Sequence, residues 1–294
     1  MTMTRLPAAD IRRAVRLGLE EDLARGDLTT SALFSKPIPA RARIIAQQPL
    51  VVAGLAAAVQ TFLAVDPSLR LSVLRRDGEQ ALEGDRILTV EGDGRSILQA
   101  ERTALNFLQH LSGIATLTQN FCRAVRGYSV SIMDTRKTIP GWRALQKWAV
   151  ALGGGTNHRR SLADGMLIKN NHLALLHHSQ QAVRSACRQA RAYAPEAMQV
   201  IVEVESLAQV RQALAGQADI ILLDNMTPAK VRRAVTLIKN RAMVEVSGGV
   251  TLQNVRAMAA AGADRISIGA LTHSAPAAHL HLVLAPRPIA RRRA

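Results

Sequence analysis

The sequence predicts an α/β protein in which an N-terminal α+β domain of the open-sandwich type precedes an incomplete, six-stranded α/β barrel. Three observations lead to this fold class. In the second half, short apolar segments recur at a regular pitch and end near residues 203, 224, 247 and 268. These segments are rich in β-branched residues, as strands covered on both faces of a parallel sheet are. The first hundred residues lack this pitch and are punctuated by Gly78, Gly84 and Gly94, which is typical of antiparallel strands joined by turns.

The chain from residue 130 onward contains all six strands of the predicted barrel. The four that follow the regular pitch end 21, 23 and 21 residues apart, which is the length of a compact strand–helix unit. In order, the six strands cover residues 130–133, 166–168, 200–204, 218–223, 243–246 and 265–268. The helices between them have predicted N-caps at Ser206, Thr227 and Thr251, and Gly216 and Gly262 are predicted to end two of them. All six strands therefore run in one direction, and their carboxyl ends meet at one edge.

The first half is predicted to form a domain of residues 1–112. Its expected strands cover residues 40–48, 71–76, 86–92 and a segment from Ser96 onward. Apolar residues at 104, 105, 108 and 111 follow a helical period, which predicts a helix that links the two halves. The barrel is assigned to residues 113–275, and the tail at 276–294 is expected to pack with the first domain.

Composition limits the classes of protein to which this chain of 294 residues can belong. Hydrophobic residues make up 48% of the chain, which indicates a packed globular protein. The longest apolar run, residues 50–59, falls well short of the roughly 20 residues of a membrane span, and no signal-type segment occurs near the start. Cys122 and Cys187 lack paired spacing, so neither a disulfide framework nor a zinc site is expected. A reducing cytoplasm is the expected location.

The net charge of +16 favours an anionic partner. A basic nucleic-acid-binding protein is one alternative, because phosphate neutralisation dominates such binding. However, the chain has only four Phe, two Trp and two Tyr, and it shows no zinc-finger or basic-zipper spacing. Part of the excess charge lies in the tail, at Arg287 and Arg291 to Arg293, which is expected to be exposed. We therefore expect neither a nucleic acid nor a membrane as partner.

The predicted strand ends carry charged and glycine-rich segments. The most basic stretch combines DTRKT at 134–138, a three-glycine run, NHRR at 157–160, and Lys169. Arg and Lys are costly to bury without an anion, and Arg binds carboxylates or phosphates in bidentate fashion. The other strand ends supply two acids and two glycine turns, namely Glu203, Asp224, Ser247-Gly248-Gly249, and Ser267 with Gly269. This combination predicts one pocket for a substrate that bears several carboxylates or phosphates.

Several long motifs resemble those of a single family. The longest is DTRKTIPGWRALQKWAVALGGGTNHRRSLADGMLIKNNH at 134–172. The others, in order, are EDLARGDLTT at 21–30, ERTALNFLQHLSG at 101–113, VEVES at 202–206, LLDNM at 222–226, SGGVT at 247–251 and SIGALTHSAP at 267–276. Together they make nearly the whole chain similar to the quinolinate phosphoribosyltransferase family, the carboxylating nicotinate-nucleotide pyrophosphorylases.

The resemblance implies an activity and its reactants. Phosphoribosyl is transferred from phosphoribosyl pyrophosphate to quinolinate, with release of pyrophosphate and carbon dioxide, and the product is nicotinate mononucleotide for NAD biosynthesis. The implied cofactor is Mg²⁺, and the implied assembly is a homodimer or a higher homo-oligomer.

The resemblance also implies roles for individual residues. The implied quinolinate-binding set is Arg136, His158, Arg159 and Lys169, with Arg102 contributed by the neighbouring subunit, and Thr135 is a further implied substrate-binding residue. Lys137 is implied to lie between quinolinate and the sugar, and it forms the implied catalytic set with Glu203 and Asp224. The two acids are implied to hold the ribose hydroxyls and, through pyrophosphate or water, Mg²⁺. The 5-phosphate is implied to bind backbone N–H groups at Ser247, Gly248, Gly249, Ser267 and Gly269.

The chain departs from the family pattern at four positions. These are Ile139 in place of Thr, Trp142 in place of Leu, Leu152 in place of Cys, and Asn170 in place of an acid. The loss of a negative charge beside Lys169 is expected to change how that ammonium group is oriented. Five histidines are interpreted as surface or helix residues, because no carboxylate lies at ligand spacing from them: His177, His178, His273, His279 and His281.

Two alternatives within enzyme chemistry remain open at this point. A paralogous pyrophosphorylase of the same fold, of the type associated with molybdenum transport, would keep Glu203, Asp224 and the glycine turns but would lack part of the carboxylate-binding set. Nicotinate as substrate is less favoured, because a single carboxylate does not need so many cations.

Overall fold

A computed structural model describes residues 3–176 and 181–286 of the chain. Its helices are α1 Ala8–Leu23, α2 Leu28–Leu33, α3 Leu55–Val65, α4 Gly94–Ala124, α5 Arg143–Leu152, α6 Asn170–Leu175, α7 Ala182–Tyr193, α8 Leu207–Ala215, α9 Pro228–Ile238, α10 Val255–Ala260 and α11 Ala270–His273. Its strands are β1 Pro39–Ala46, β2 Leu50–Val51, β3 Arg70–Val73, β4 Gln80–Ala81, β5 Arg86–Asp93, β6 Ser131–Met133, β7 Met166–Ile168, β8 Val200–Val204, β9 Ile220–Asp224, β10 Met243–Ser247, β11 Arg265–Ser267 and β12 Leu280–Pro286. The basic tail from Arg287 onward, His177 and His178 lie outside the described residues.

The chain divides into two compact units. The first, here called the antiparallel unit, contains residues 3–119, 138–154 and 272–286 of the described chain. The second, here called the parallel unit, contains residues 120–137 and 155–271. Within the described residues, no helix combines the length and the apolar character that a membrane crossing requires.

The antiparallel unit is built on a four-stranded sheet in the order β12-β1-β5-β3. Strand β1 alternates exposed or half-buried positions with buried ones, including Ala42 and Ile44, as expected for a strand with one face on the core. The same core contains Phe62 of α3, Leu108 of α4 and Leu280 of β12. Antiparallel strands thus pack against helices on one face, as the predicted α+β class requires.

The predicted strand from Ser96 onward is wrong. This segment belongs to α4, which begins at Gly94 and runs through Ala124. Its buried residues Ile97, Ala104 and Leu108 recur at helical spacing and join the core of the antiparallel unit, so burial of one helical face decides the conformation.

The parallel unit contains the six predicted strands in the order β6-β11-β10-β9-β8-β7, and every adjacent pair is parallel. The predicted α/β fold class is therefore confirmed. Thr156 forms an isolated parallel bridge with Met133 and so extends the sheet beyond β6.

The caps of the connecting helices follow the prediction with one exception. The side chains of Ser206 and Thr227 accept hydrogen bonds from the backbone N–H groups of Gln209 and Lys230, as N-caps do. Thr251 is not an N-cap, because α10 starts four residues later, after Asn254. The Oδ1 atom of Asn254 accepts a hydrogen bond from the backbone N–H of Thr251, within the turn that precedes the helix.

Candidate active site

The register of the parallel strands aligns the predicted site residues at one edge of the sheet. Ser247 pairs with Asp224 on one side and with Ser267 on the other, and Ser267 pairs with Met133. Directly paired residues of parallel strands point to the same face. The ends of β6, β11, β10 and β9 therefore present their side chains to a common face at a common level.

The acid on β8 faces the same way as Asp224. Glu203 pairs with Leu222, which lies two residues before Asp224 on β9, so the alternation of side chains puts both carboxylates on one face. Both acids are half-buried. Beneath them, Leu167, Ile201, Ile220 and Leu222 form an apolar cluster that supports this edge of the sheet.

Lys169 leaves the sheet at the level of Glu203. Ile168 pairs with Val202, and Lys169 continues in extended backbone before α6 begins at Asn170. Its side chain is exposed, and its backbone N–H donates to Nδ1 of His172 at 2.9 Å. Lys169 therefore follows β7 at the level at which Glu203 lies on β8.

Asn170, one of the departures from the family pattern, has a defined partner. Its Nδ2 donates to Oε1 of Glu205 at 2.6 Å, which links the start of α6 to the turn after β8. An ionised acid at this position would repel Glu205, whereas the amide donates to it. The change therefore fixes the backbone beside Lys169 through a hydrogen bond.

The glycine turn after β10 packs closely against the turn after β9. Gly248 has φ of 85°, and a Cβ atom there would lie 2.4 Å from Oδ1 and 2.9 Å from the backbone N of Asn225. Asn225 itself has φ of 52°, donates its backbone N–H to the carbonyl of Ser247, and donates its Nδ2 to Asp224. Sequence analysis did not assign Asn225 a role. Its position directly after the strand-end acid was the available signal.

The basic loop after β6 is fixed by a buried acid that the sequence analysis also left unassigned. Asp134 is fully buried, and its two carboxylate oxygens accept hydrogen bonds from Nδ2 of Asn157 and from the backbone N–H of His158, both at 2.7 Å. The backbone N–H of Lys137 donates to Oγ1 of Thr135 at 3.0 Å. These bonds bring the DTRKT and NHRR segments together across more than twenty residues of sequence.

Two guanidinium groups lie close together in this region. Nη1 of Arg159 donates to the carbonyl of Gly165 at 2.9 Å. Burial, followed by the positive charge of Arg136, lowers the pKa of Arg159 from its usual value. Arg remains protonated in proteins, so the two like charges repel, and an anion bound to both would relieve that repulsion.

His158 contacts a second buried acid, Glu245 of β10. Its Nε2 lies 3.2 Å from Oε1 of Glu245, which is fully buried and also accepts a hydrogen bond from Oγ of Ser267. Nδ1 of His158 accepts a hydrogen bond from the backbone N–H of Arg159 at 2.8 Å. Sequence analysis missed Glu245, because it lies inside a strand rather than at its end.

The remaining predicted site residues are placed as follows. Gly269 follows β11 at the same edge, directly before α11. Arg102 is exposed on α4 and belongs to the antiparallel unit. Among residues 3–176 and 181–286, no group of three or more His, Cys, Asp or Glu side chains is arranged to hold a metal ion.

Three of the five histidines interpreted as surface or helix residues can be compared with the structure. His273, in α11, and His279 are exposed. His281 differs from that interpretation, because it is half-buried on strand β12.

A parallel α/β sheet whose carboxyl edge carries paired guanidinium groups, two carboxylates and glycine turns defines an α/β enzyme that binds carboxylate- and phosphate-bearing substrates. Comparison with known proteins identifies the family. The family model described as "Quinolinate phosphoribosyl transferase, N-terminal domain" matches residues 27–112, and the model of the C-terminal domain of the same family matches residues 114–283. The chain belongs to the quinolinate phosphoribosyl transferase family.

Individual relatives are similar over most of their length. The nicotinate-nucleotide pyrophosphorylase [carboxylating] of Mycobacterium leprae is 42% identical over 269 residues, which cover 90% of this chain and 93% of that protein. A probable nicotinate-nucleotide pyrophosphorylase [carboxylating] of Bacillus subtilis is 38% identical over 86% of each chain. The solved structure of the nicotinate-nucleotide pyrophosphorylase from Francisella tularensis superposes with a TM-score of 0.89 at 35% identity, covering 97% of this chain and 99% of that one.

Proposed function

We propose that this chain transfers phosphoribosyl from phosphoribosyl pyrophosphate to quinolinate with loss of one carboxylate, which gives nicotinate mononucleotide, carbon dioxide and pyrophosphate for NAD biosynthesis. The observation that carries the proposal is the pair of neighbouring guanidinium groups, Arg136 and Arg159, at the edge that also presents Glu203 and Asp224. A pyridine dicarboxylate neutralises the two cations, and the acids suit a sugar bearing hydroxyls.

The quinolinate site comprises Arg136, Arg159 and Lys169 as cations, with Thr135 and His158 beside them. Two carboxylates bound by three cations give specificity for a diacid over a monoacid, since a monoacid leaves part of the positive charge unmatched. This supports quinolinate over nicotinate as the substrate.

The phosphoribosyl site uses the glycine turns. Backbone N–H groups of Gly248, Gly249 and Gly269 are proposed to bind the 5-phosphate, together with those of Ser247 and Ser267. Oγ of Ser267 donates to Glu245, so Ser267 offers the phosphate its backbone N–H rather than its hydroxyl. Glu203 and Asp224 accept hydrogen bonds from the ribose hydroxyls.

The acids of this site fit Mg²⁺ as a bound partner of pyrophosphate. Glu203 and Asp224 provide hard carboxylate oxygens on one face of the sheet, and Mg²⁺ is commonly held by one or two carboxylates together with substrate phosphates. When bound, Mg²⁺ neutralises charge on the leaving pyrophosphate.

The reaction needs no protein nucleophile. The pyridine nitrogen of quinolinate forms the new bond to the anomeric carbon as the bond to pyrophosphate breaks, and the electrons of that bond leave with pyrophosphate. The resulting pyridinium accepts the electron pair released when the adjacent carboxylate departs as carbon dioxide, and a proton replaces that carboxylate on the ring. Burial raises the pKa of both Cys122 and Cys187 to about 11, so neither is a thiolate at neutral pH.

The protein contributes position and charge. Lys137 is proposed to lie between quinolinate and the sugar, where its ammonium group stabilises negative charge on the reactants as they approach. The carboxylate that departs should be held less tightly than the one that remains, because tight binding in the ground state slows its loss.

An activity assay tests this function. Purified protein incubated with quinolinate, phosphoribosyl pyrophosphate and Mg²⁺ should form nicotinate mononucleotide and carbon dioxide in equal amounts. Chromatography measures the mononucleotide, and release of label from carboxyl-labelled quinolinate measures the carbon dioxide. Nicotinate in place of quinolinate serves as the control and should give little product. Turnover of another acceptor, with quinolinate inert, would instead identify the paralogous pyrophosphorylase.

The assembly and the location are proposed on separate grounds. We propose a homodimer in which Arg102, exposed on α4, reaches the active site of the partner subunit. We propose the cytoplasm because both cysteines are free thiols, as is usual in a reducing compartment.

A further inference from the structure

The fully buried carboxylate of Glu245 has no role in the reaction described so far. It lies on the face of β10 that also carries Ser247, two residues before the glycine turn. Its Oε1 lies 3.2 Å from Nε2 of His158 and accepts a hydrogen bond from Oγ of Ser267, and its Oε2 has no hydrogen-bond partner within the described residues. A buried carboxylate is costly, and an apolar side chain would fill a strand interior without that penalty.

The hydrogen bonds of His158 define its protonation. Nδ1 accepts the backbone N–H of Arg159 at 2.8 Å, so Nδ1 carries no proton. The ring proton therefore resides on Nε2, which faces Oε1 of Glu245 at 3.2 Å. Both ring nitrogens are thus engaged by the protein.

The contacts continue from His158 to the substrate cations. The backbone N–H of His158 donates to Asp134, and the next residue, Arg159, is held at its backbone by the imidazole and at its guanidinium by Gly165. If the imidazole turns, the backbone N–H of Arg159 loses its acceptor, so the guanidinium keeps its bond to Gly165 but its position beside Arg136 is less firmly fixed.

We propose that Glu245 is a positioning residue: it holds His158 as the neutral Nε2–H tautomer and, through His158, fixes Arg159 for the substrate diacid. The inference rests on the proposed function, and it assigns His158 an indirect role instead of a direct contact from its ring nitrogens. A neutral imidazole also leaves the site with fewer full positive charges, which agrees with a looser hold on the departing carboxylate.

Three variants separate this role from a purely structural one. Glu245→Leu removes the acceptor, and Glu245→Gln keeps a carbonyl acceptor but removes the charge. Val246→Ala is the matched control, because Val246 is equally buried on the same strand but points to the opposite face. Dissociation constants for quinolinate and for phosphoribosyl pyrophosphate are measured separately by calorimetry, and thermal unfolding is recorded for each variant.

Glu245→Leu should weaken quinolinate binding by about tenfold or more while changing phosphoribosyl pyrophosphate binding by less than about threefold. Glu245→Gln should retain quinolinate affinity within about threefold, since the tautomer is preserved. Val246→Ala should lower thermal stability without changing the ratio of the two constants. Equal weakening of both ligands by Glu245→Leu, or equal loss in Glu245→Gln and Glu245→Leu, overturns the proposal.

A double-mutant cycle tests the coupling to His158. His158→Ala alone and combined with Glu245→Leu should weaken quinolinate binding to nearly the same extent, because both act through one path. Additive losses would mean that His158 contacts the substrate independently of Glu245.

The tautomer itself is read without any substrate. In protein labelled with ¹⁵N-histidine, the His158 signal, identified by its loss in His158→Ala, should show a protonated Nε2 and an unprotonated Nδ1. A doubly protonated ring or a protonated Nδ1 overturns the proposal even if Glu245→Leu fails to fold. Because this measurement needs no turnover, its failure is distinguishable from failure of the wild-type protein to form nicotinate mononucleotide.

Discussion

At the scale of single residues, the cations of the site differ in how firmly the protein holds them. Arg159 is tied to the carbonyl of Gly165 and borders Arg136, whereas Lys169 is exposed at the start of α6. A guanidinium fork held at a fixed position selects the direction of a carboxylate, while an ammonium group on a flexible stem supplies charge with little directional preference. We therefore expect the arginines to set the orientation of quinolinate.

Replacing Arg136 by Ala tests this expectation. The variant should lose about tenfold to a hundredfold in quinolinate affinity, because a charge-assisted hydrogen-bonding partner of a carboxylate is removed. Affinity for phosphoribosyl pyrophosphate should change far less, and separate binding titrations measure both values.

Arg232→Ala provides the charge-matched control. Arg232 is exposed on α9, and its replacement changes the net charge of the protein by the same amount as Arg136→Ala does. It should leave both affinities near the wild-type values. Equal loss of both ligands in Arg136→Ala would contradict the role assigned to Arg136.

At the scale of elements, the turns after β9 and β10 form one unit. Asn225 adopts a left-handed backbone conformation and packs against Gly248, while its side chain holds Asp224. The turn proposed to bind the 5-phosphate and the acid at the neighbouring strand end are therefore positioned by the same contact. A disturbance in one turn should affect the other.

Gly248→Ala and Gly249→Ala compare steric clash with backbone strain. Both glycines have positive φ, 85° and 61°, but only at Gly248 would a Cβ atom clash, whereas the position at Gly249 has no heavy atom within 4 Å. Gly249→Ala should lower the free energy of unfolding by about 1 kcal/mol, from backbone strain alone. Gly248→Ala should lower it by about 1–3 kcal/mol more and should weaken phosphoribosyl pyrophosphate binding further. Urea unfolding measures the free energy of unfolding of both variants. A similar decrease in that free energy for the two variants would show that Asn225 moves aside freely.

At the scale of the whole molecule, the proposed homodimer has shared active sites. Arg102 lies in the antiparallel unit, and the other residues proposed to bind quinolinate lie in the parallel unit. A C₂ dimer has a single interface in which every contact occurs twice, so each subunit can supply Arg102 to the active site of the other.

Mixing two inactive variants tests the shared site. Arg102→Ala and Arg136→Ala homodimers should each be nearly inactive, whereas subunits that are mixed and reassociated should recover about a quarter of wild-type activity, because half of the dimers then contain one intact site. Sedimentation measures the assembly, and the product assay measures recovery. Activity that stays at the level of the separate variants, with exchange verified, excludes a site shared in this way.

The accuracy of the sequence-based predictions depended on whether the deciding interactions were local. The six strands of the parallel unit and the caps at Ser206 and Thr227 follow from apolar runs and cap chemistry contained within a few residues. The segment from Ser96 onward was assigned wrongly because burial against the distant strands of the antiparallel sheet decides that it is helical. Thr251 was assigned wrongly because α10 begins only after Asn254, three residues further along the chain.

The sequence by itself determined which chemical groups stand at the strand ends, since motif and strand period are local properties of the chain. Only the tertiary structure decided which of those groups meet. Glu245 contacts His158, Asn170 contacts Glu205 and Asn225 packs on Gly248, each across at least 20 residues of sequence. Such pairs depend on the register of parallel strands, and register is fixed by packing of the whole sheet rather than by any one segment.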